Sequence, residues 1–344
     1  MTRGMLPMFL VIGVLDSCAS MDQASQTTPP GQERYVIVTA DDFGAAENIN
    51  EGIEFASARG AITTVSALMN FPFSFSRLQQ LADRHPRLGI GVHLNLTTGK
   101  PLLDSRQVPT LVDANGDFFT VDGLYARIGT ISLAELEQEL RAQINALKDL
   151  NIRPDHLSDH NGVLSLYPPF FDVFARLALE FGLPVRSPLS VSMKYPLLFP
   201  DAGIRKKGRD VAWRVAGRGL FNAIGLLRYT NVAQIEERVK LLDALDIPHP
   251  DILVDYLYGN PTVSNALHVL RNIPARISEI VVHLGTSRRS ESYPVGLDTG
   301  YFDNREQELV VVTSTYLAEF AKTLGIVPVG FDDLASLRGG HHAP

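Results

Sequence analysis

Asp41 and Asp42 are adjacent carboxylates at the end of the apolar run Tyr35-Val36-Ile37-Val38-Thr39-Ala40, with Phe43 and Gly44 after them. Ionised groups at the mouth of a buried strand must be paired or bound to a cation. Neighbouring side chains of a strand point to opposite faces, so the pair can divide its work, one holding a metal and the other handling a proton. A helix cap, with Gly44 allowing a tight turn, would account for one carboxylate but not for both. Imidazoles sit in comparable places: His93 in Val92-His93-Leu94-Asn95, His156 and His160 in His156-Leu157-Ser158-Asp159-His160, and His283 after Ile280-Val281-Val282. Carboxylates with imidazoles suit a divalent cation, either Zn²⁺ or a harder ion such as Mg²⁺ that keeps waters. Water on such an ion is acidified toward neutrality, and a carbonyl on it is polarised. The chemistry suited to this set is metal-dependent hydrolysis.

Spacing sorts the candidates further. Strand alternation places His93, Asn95 and Thr97 on one face, and residues 156, 158 and 160 on another. A His-x3-His pair on a helix would share a face. Pro154 before the pair and Asn161-Gly162 after it favour a strand that ends in a turn. His160, deepest in that turn, is then the better ligand, and His156 either supports the site or is structural. His283 is placed to serve as a general acid. Arg305, Glu306 and Glu308 open a helix, either as a solvated charged turn or as groups that orient the site. Asp255 is a weaker candidate. His85, His249, His268, His341 and His342 lack such context and are expected at the surface.

Alternating short apolar runs and helical stretches must position these groups. Strands are expected at 35–40, 63–69, 89–96, 183–186, 252–256, 280–283 and 326–330. Helices are expected at 48–59, 75–84, 133–150, 170–181, 231–245, 265–272 and, as one long element, 305–324. Such alternation implies an α/β fold paired in parallel through βα units. Most of the polar candidates then fall at the C-terminal ends of strands, where these folds place their sites. Residues 187–228 break the rhythm with prolines, the basic cluster Arg205-Lys206-Lys207-Gly208-Arg209 and the single Trp213. They read as an insertion, with a lid or packing role preferred over a partner surface or a membrane-facing helix.

A chain of 344 residues with 45% apolar and 20% charged side chains can bury a large core, and its formal charge of −7 argues against a nucleic-acid partner. No Gly-x-Gly-x-x-Gly follows the first strand, which argues against a dinucleotide enzyme. The sole cysteine, Cys18, excludes an intramolecular disulfide and a thiolate cluster. It follows Arg3 and an apolar run at 5–15 that is too short to span a bilayer and is similar to the core of a secretory signal. Leu15-Asp16-Ser17-Cys18 resembles a bacterial lipobox, from which Asp16 departs. We expect residues 1–20 to be a signal segment with its lipobox and 21–34 a flexible tether. The expected location is the cell envelope or periplasm on a lipid anchor, or the cytoplasm if translation starts at Met21.

Five segments together resemble the YdjC/ChbG-like carbohydrate deacetylases, including hopanoid-associated deacetylases. They are Thr39-Ala40-Asp41-Asp42-Phe43-Gly44, Gly91-Val92-His93-Leu94-Asn95-Leu96-Thr97, Pro154-Asp155-His156-Leu157-Ser158-Asp159-His160, Glu279-Ile280-Val281-Val282-His283-Leu284-Gly285, and Arg305-Glu306 with Glu308-Leu309. The resemblance implies a single-domain distorted (β/α) barrel over 35–338 that removes acetyl groups from N-acetylated amino sugars. It implies a divalent metal on Asp42, His93 and His160, with Asp41 as the base and His283 assisting the leaving amine. Asn95, His156, Asp159 and Arg305 remain as supporting or substrate-facing residues. Three departures stand out: Ser158-Asp159 where the family carries Asp-Ser, Gly162 where a further histidine is common, and Leu284 where proline is common. The expected partners are an acetylated amino sugar, no nucleic acid, the membrane through the anchor alone, and a homodimer as an open alternative. Rival readings are hydrolysis of an ester or non-sugar amide, and a non-catalytic glycan-binding lipoprotein.

Overall fold

Among the described residues seven strands build the sheet: β1 (Arg34–Phe43), β2 (Thr64–Ala67), β3 (Gly89–Leu94), β4 (Leu157–Asp159), β5 (Ile252–Val254), β6 (Ile277–Val282) and β7 (Ile326–Pro328). The computed structural model describes residues 33–200, 203–218, 231–289 and 293–339. The expected signal segment, most of the tether, His341 and His342 lie outside the described residues.

β1 is the centre of the sheet. It runs parallel to β2 on one side and β6 on the other, and its first residues also pair with β7. The order is β4-β3-β2-β1-β6-β5, and every strand pair is parallel. Parallel neighbours need crossovers, and the intervening helices supply them. Between β4 and β5 the ring is bridged by single contacts, Leu157 with Val185 and Ser190 with Leu253. The strand expected at 183–186 is therefore one bridge rather than a ladder. Pro184 has no N–H to give and sits inside it. The result is the expected α/β architecture, a distorted barrel of parallel strands with helices outside.

Alternation divides the strands between two environments. Val36, Ala40, Val65, Ile90, Val92 and Val254 face outward into the main core beneath the helices. Ile37, Ile277, Phe331 and Leu334 form a separate apolar plug inside. Above the plug the interior is polar: Thr39, Ser66, His156, Ser158 and Glu279 are all fully buried.

Two helices fix the loops that carry the site. α1 (Glu47–Ala58) follows Gly44, whose φ of 104° is the left-handed backbone glycine tolerates. The other is a 17-residue helix, Leu133–Asp149, that buries Leu136, Leu140, Ile144 and Leu147 at helical spacing and has Ser132 as its N-cap. Its buried Gln143 takes the Asn95 N–H and donates back to the Asn95 carbonyl, both at 2.9 Å, which pins the end of β3.

Three further expectations need correction. The long helix at 305–324 is two helices, Phe302–Val312 and Thr315–Thr323, because Ser314 is extended and starts the second. Val310-Val311-Val312 precede the break, and β-branched residues weaken a helix end. His249 is buried rather than exposed, with Nδ1 against the Pro250 carbonyl at 2.8 Å. His268 is half-buried, with Nε2 2.8 Å from the Leu198 carbonyl. In the insertion, a short helix (Val191–Lys194) is followed by Gly203–Arg218, which packs on Val121–Tyr125 and leaves Trp213 63% exposed.

Candidate metal and catalytic centre

β1 does not end as a regular strand. Its register against β2 shifts between Ala40 and Phe43, and Asp42 has φ 74°. That conformation costs an ordinary side chain about 1–2 kcal/mol and is tolerated best by Asp, Asn and Gly. It overturns the expectation that the two carboxylates divide between opposite faces. Both point at His93, whose Nε2 lies 3.6 Å from Asp41 Oδ2 and 3.5 Å from Asp42 Oδ1.

His160 enters from the turn after β4, with Nδ1 3.0 Å from Asp42 Oδ1. Asp42, His93 and His160 each offer one donor atom, and the three atoms lie within 4.8 Å of one another. Tetrahedral zinc with bonds of about 2.0–2.1 Å separates its ligand atoms by about 3.3 Å. The 3.0 and 3.5 Å approaches to Asp42 Oδ1 bracket that value. Asp42 Oδ1 is buried and accepts no hydrogen bond among the described residues. A bare carboxylate oxygen beside two imidazole nitrogens fits a divalent cation. The outer imidazole nitrogens are anchored, His93 Nδ1 on Ser158 Oγ at 2.8 Å and His160 Nε2 on Thr98 Oγ1 at 2.9 Å.

Two arginines complete the electrostatics. Arg186 holds both oxygens of Asp41, at 2.7 and 2.8 Å, and turns its remaining edge to Glu279. Arg305 donates to Asp42 Oδ2 at 2.5 Å. Burial pushes the Asp41 carboxyl up, but the Arg186 guanidinium outweighs it and holds the group well below the usual carboxylate range. Burial likewise raises Asp42, and Arg305 and His160 bring it well below its ordinary value. Both carboxylates stay ionised.

His283 stands at the rim, half-buried, with its backbone N–H on Glu308 Oε2 at 2.6 Å. Its ring meets Tyr258 and Tyr301 edge-on, and those two rings stack at 4.2 Å. Burial raises Glu308 to about 8 despite the Tyr301 and His283 hydrogen bonds and Arg305. His283 is outside the three-donor set but close enough to help lower Asp41.

The remaining candidates separate clearly. Arg305 contacts the site directly. Asn95 shapes the loop: its Oδ1 accepts the Thr97 and Thr98 N–H groups and its amide donates to the Thr98 carbonyl. It thereby places the Thr98 hydroxyl under His160. Asp159 lies on the other face and accepts from the Leu164 and Ser165 N–H groups and the Ser165 hydroxyl, so it braces the turn after β4. His156 is fully buried below the site, hydrogen-bonded to Ser66 and Asp155. Asp255 is buried away from the donors and binds Ser192. Sequence reasoning missed Arg186 and Glu279. The available signal was the same as for the others, a charged side chain inside or at the end of an apolar run.

The model of the family described as YdjC-like protein matches residues 35–323. A carbohydrate deacetylase of Geobacillus stearothermophilus is 36% identical over 173 residues, 49% of this chain and 67% of that one. A carbohydrate deacetylase of Clostridium beijerinckii is 26% identical over 299 residues, 87% of this chain and 99% of that one. A chitooligosaccharide deacetylase of Yersinia pestis is 35% identical over 155 residues, 45% of this chain and 59% of that one. For several relatives the match spans less than two thirds of their length, as in Halalkalibacterium halodurans at 63%. A crystal structure of an Enterococcus faecalis protein provisionally assigned to cellobiose-phosphate cleavage shares the fold, with a TM-score of 0.67 and 24% identity, covering 88% of this chain and 99% of that one. With most of its length matched by that family model, the chain belongs to the YdjC-like protein family.

Proposed function

We propose that this protein is a metal-dependent carbohydrate deacetylase that hydrolyses the acetamide of N-acetylated amino sugars. One observation carries the reading: Asp42 Oδ1, buried without a hydrogen bond, faces the imidazole nitrogens of His93 and His160. The deacetylase names of relatives such as those of G. stearothermophilus and C. beijerinckii support the substrate class.

Asp42, His93 and His160 would hold the divalent cation, Zn²⁺ or Mg²⁺, and Arg305 holds the other oxygen of Asp42 in place. When bound, the cation supplies Lewis-acid polarisation of the acetyl carbonyl and a more acidic water. Asp41, kept ionised by Arg186, takes a proton from the attacking water. The new C–O bond forms as the carbonyl C–N bond weakens. His283, at the rim beside Asp41, delivers a proton to the departing sugar nitrogen, and acetate and a free amine result. Arg186 limits Asp41 as a strong base, yet it favours the unprotonated form that can accept the proton.

The test is acetate release from N-acetylated chitooligosaccharides by the full chain, metal-stripped and reloaded with Zn²⁺ or Mg²⁺. Release that requires metal and vanishes in Asp42→Asn and His93→Ala is expected. Release only from O-acetylated sugars would move the assignment to an esterase. Sugar binding without turnover under any metal would make the protein a glycan-binding lipoprotein. We also propose lipid attachment at Cys18, on the pattern of residues 15–18.

A further inference from the structure

His93 and five side chains below it form one continuous row of hydrogen bonds inside the barrel. His93 Nδ1 lies 2.8 Å from Ser158 Oγ, and Ser158 Oγ donates to Ser66 Oγ at 2.9 Å. Ser66 Oγ lies 2.8 Å from His156 Nε2, and His156 Nδ1 lies 2.7 Å from Asp155 Oδ1. Thr64 Oγ1 closes the row by donating to Asp155 Oδ2 at 2.9 Å. Thr64, Ser66, His156 and Ser158 are fully buried and Asp155 is nearly so.

The barrel is built to admit this row. A Cβ on Gly91 would come within 2.2 Å of His156 Nδ1, and one on Gly89 within 1.9 Å of Asp155 Oδ2. Both glycines lie on β3, at positions that share a face with His93. Phe331 stacks flat on the His156 ring at 4.0 Å and holds it in plane.

The chemistry of the members gives the row a direction. A carboxylate only accepts, so neutral His156 carries its proton on Nδ1 and presents a lone pair at Nε2. Ser66 must then donate to His156, and the single proton of each hydroxyl passes the same polarity upward. Ser158 donates to Ser66 and is left to accept from His93 Nδ1–H. Neutral His93 consequently has no proton on Nε2, the nitrogen that faces Asp41 and Asp42. The reverse polarity would need a protonated Asp155 or a doubly protonated His156, would turn the Ser158-to-Ser66 hydrogen bond around, and would leave the proton of His93 on Nε2.

We propose that Asp155 and His156 are positioning residues that set the tautomer of His93 through Ser66 and Ser158, keeping its Nε2 lone pair directed at the metal position. The inference rests on the reading of His93 as a metal ligand. The Asp155–His156 pair thus acts at a distance, with two hydroxyls in between.

The experiment reads ring-nitrogen shifts of ¹⁵N-histidine-labelled, metal-free full chain, together with Zn²⁺ titration of the same samples. In the native protein His93 should be protonated at Nδ1 alone. Ser66→Ala, which cuts the row without touching His93, should give a mixed tautomer at His93 and lower Zn²⁺ affinity by about 10–100-fold. Ser66→Thr restores the hydroxyl and should restore both readouts, which a packing role for Ser66 would not require. A proton on His93 Nε2 in the native protein, or an unchanged tautomer in Ser66→Ala, overturns the proposal, and the first of these needs no variant to fold. Native protein with the expected tautomer but no Zn²⁺ binding would instead remove the metal reading and leave the tautomer assignment standing.

Discussion

Arg186 grips both oxygens of Asp41 from 145 positions further along the chain, and the same guanidinium neutralises Glu279. Arg186→Met would leave two buried carboxylates without their cation, at a cost of about 3–5 kcal/mol. In the native protein the Asp41 carboxyl is depressed, so its stabilising contribution is complete above the unfolded value near 3.9 and is lost as pH falls through the lower folded one. Without Arg186, burial pushes that carboxyl up. The acid limb of the kcat/KM profile should move to higher pH, and the stability deficit should shrink on acidification. An acid limb that stays in place would remove Arg186 from the control of Asp41.

Metal retention should depend on the charge of Asp42 rather than on its shape. Asn tolerates the φ of 74° at this position, so Asp42→Asn avoids the backbone penalty that Asp42→Ala would add. The variant should fold and lose metal affinity by more than the roughly 10–100-fold typical of an outer partner. Equilibrium dialysis with elemental analysis is the check, and retained metal would exclude Asp42 as a ligand.

Glu308, raised to about 8, binds its proton in the folded protein across a range where the unfolded chain has released it. Stability should therefore fall as pH rises from about 4.3 to 8, by up to about 1.4 kcal/mol per unit for one such group. Glu308→Gln keeps partners for the His283 N–H and the Tyr301 hydroxyl and should flatten that slope. Urea unfolding across pH 5 to 9 decides it. An unaltered slope would mean that Glu308 does not titrate there.

Helix propensity alone favours Gly52→Ala by about 1 kcal/mol. The structure reverses the sign, because the new Cβ would lie 2.7 Å from the backbone of Gly285. Overpacking of this kind costs about 1–3 kcal/mol. Thermal denaturation should show a lower midpoint, and activity should drop as α1 is pushed from the segment after His283.

If Cys18 carries lipid, Cys18→Ala should move the protein from the membrane fraction to the soluble one. Intact-mass measurement of the native chain should show a diacylglyceryl addition. A native chain with unmodified Cys18 would rule out the anchor.

Most of the order of strands and helices was legible in the sequence, because periodicity and turn residues act over a few positions, although the strand expected at 183–186 is a single bridge. The same local logic marked Asp41, Asp42, His93, His160 and His283, since a polar group at the end of an apolar run is costly wherever the chain goes. It also erred locally, merging two helices across Ser314 and placing His249 on the surface. Tertiary structure alone decided that Asp42 turns to the same side as Asp41 and that Arg305 reaches it across 263 residues. It also decided that Asp159 braces a turn while Ser158 takes the place beside His93. Short-range sterics specify the elements. Charge pairing in the interior is settled only when the barrel closes and water leaves, because distant groups must then satisfy one another.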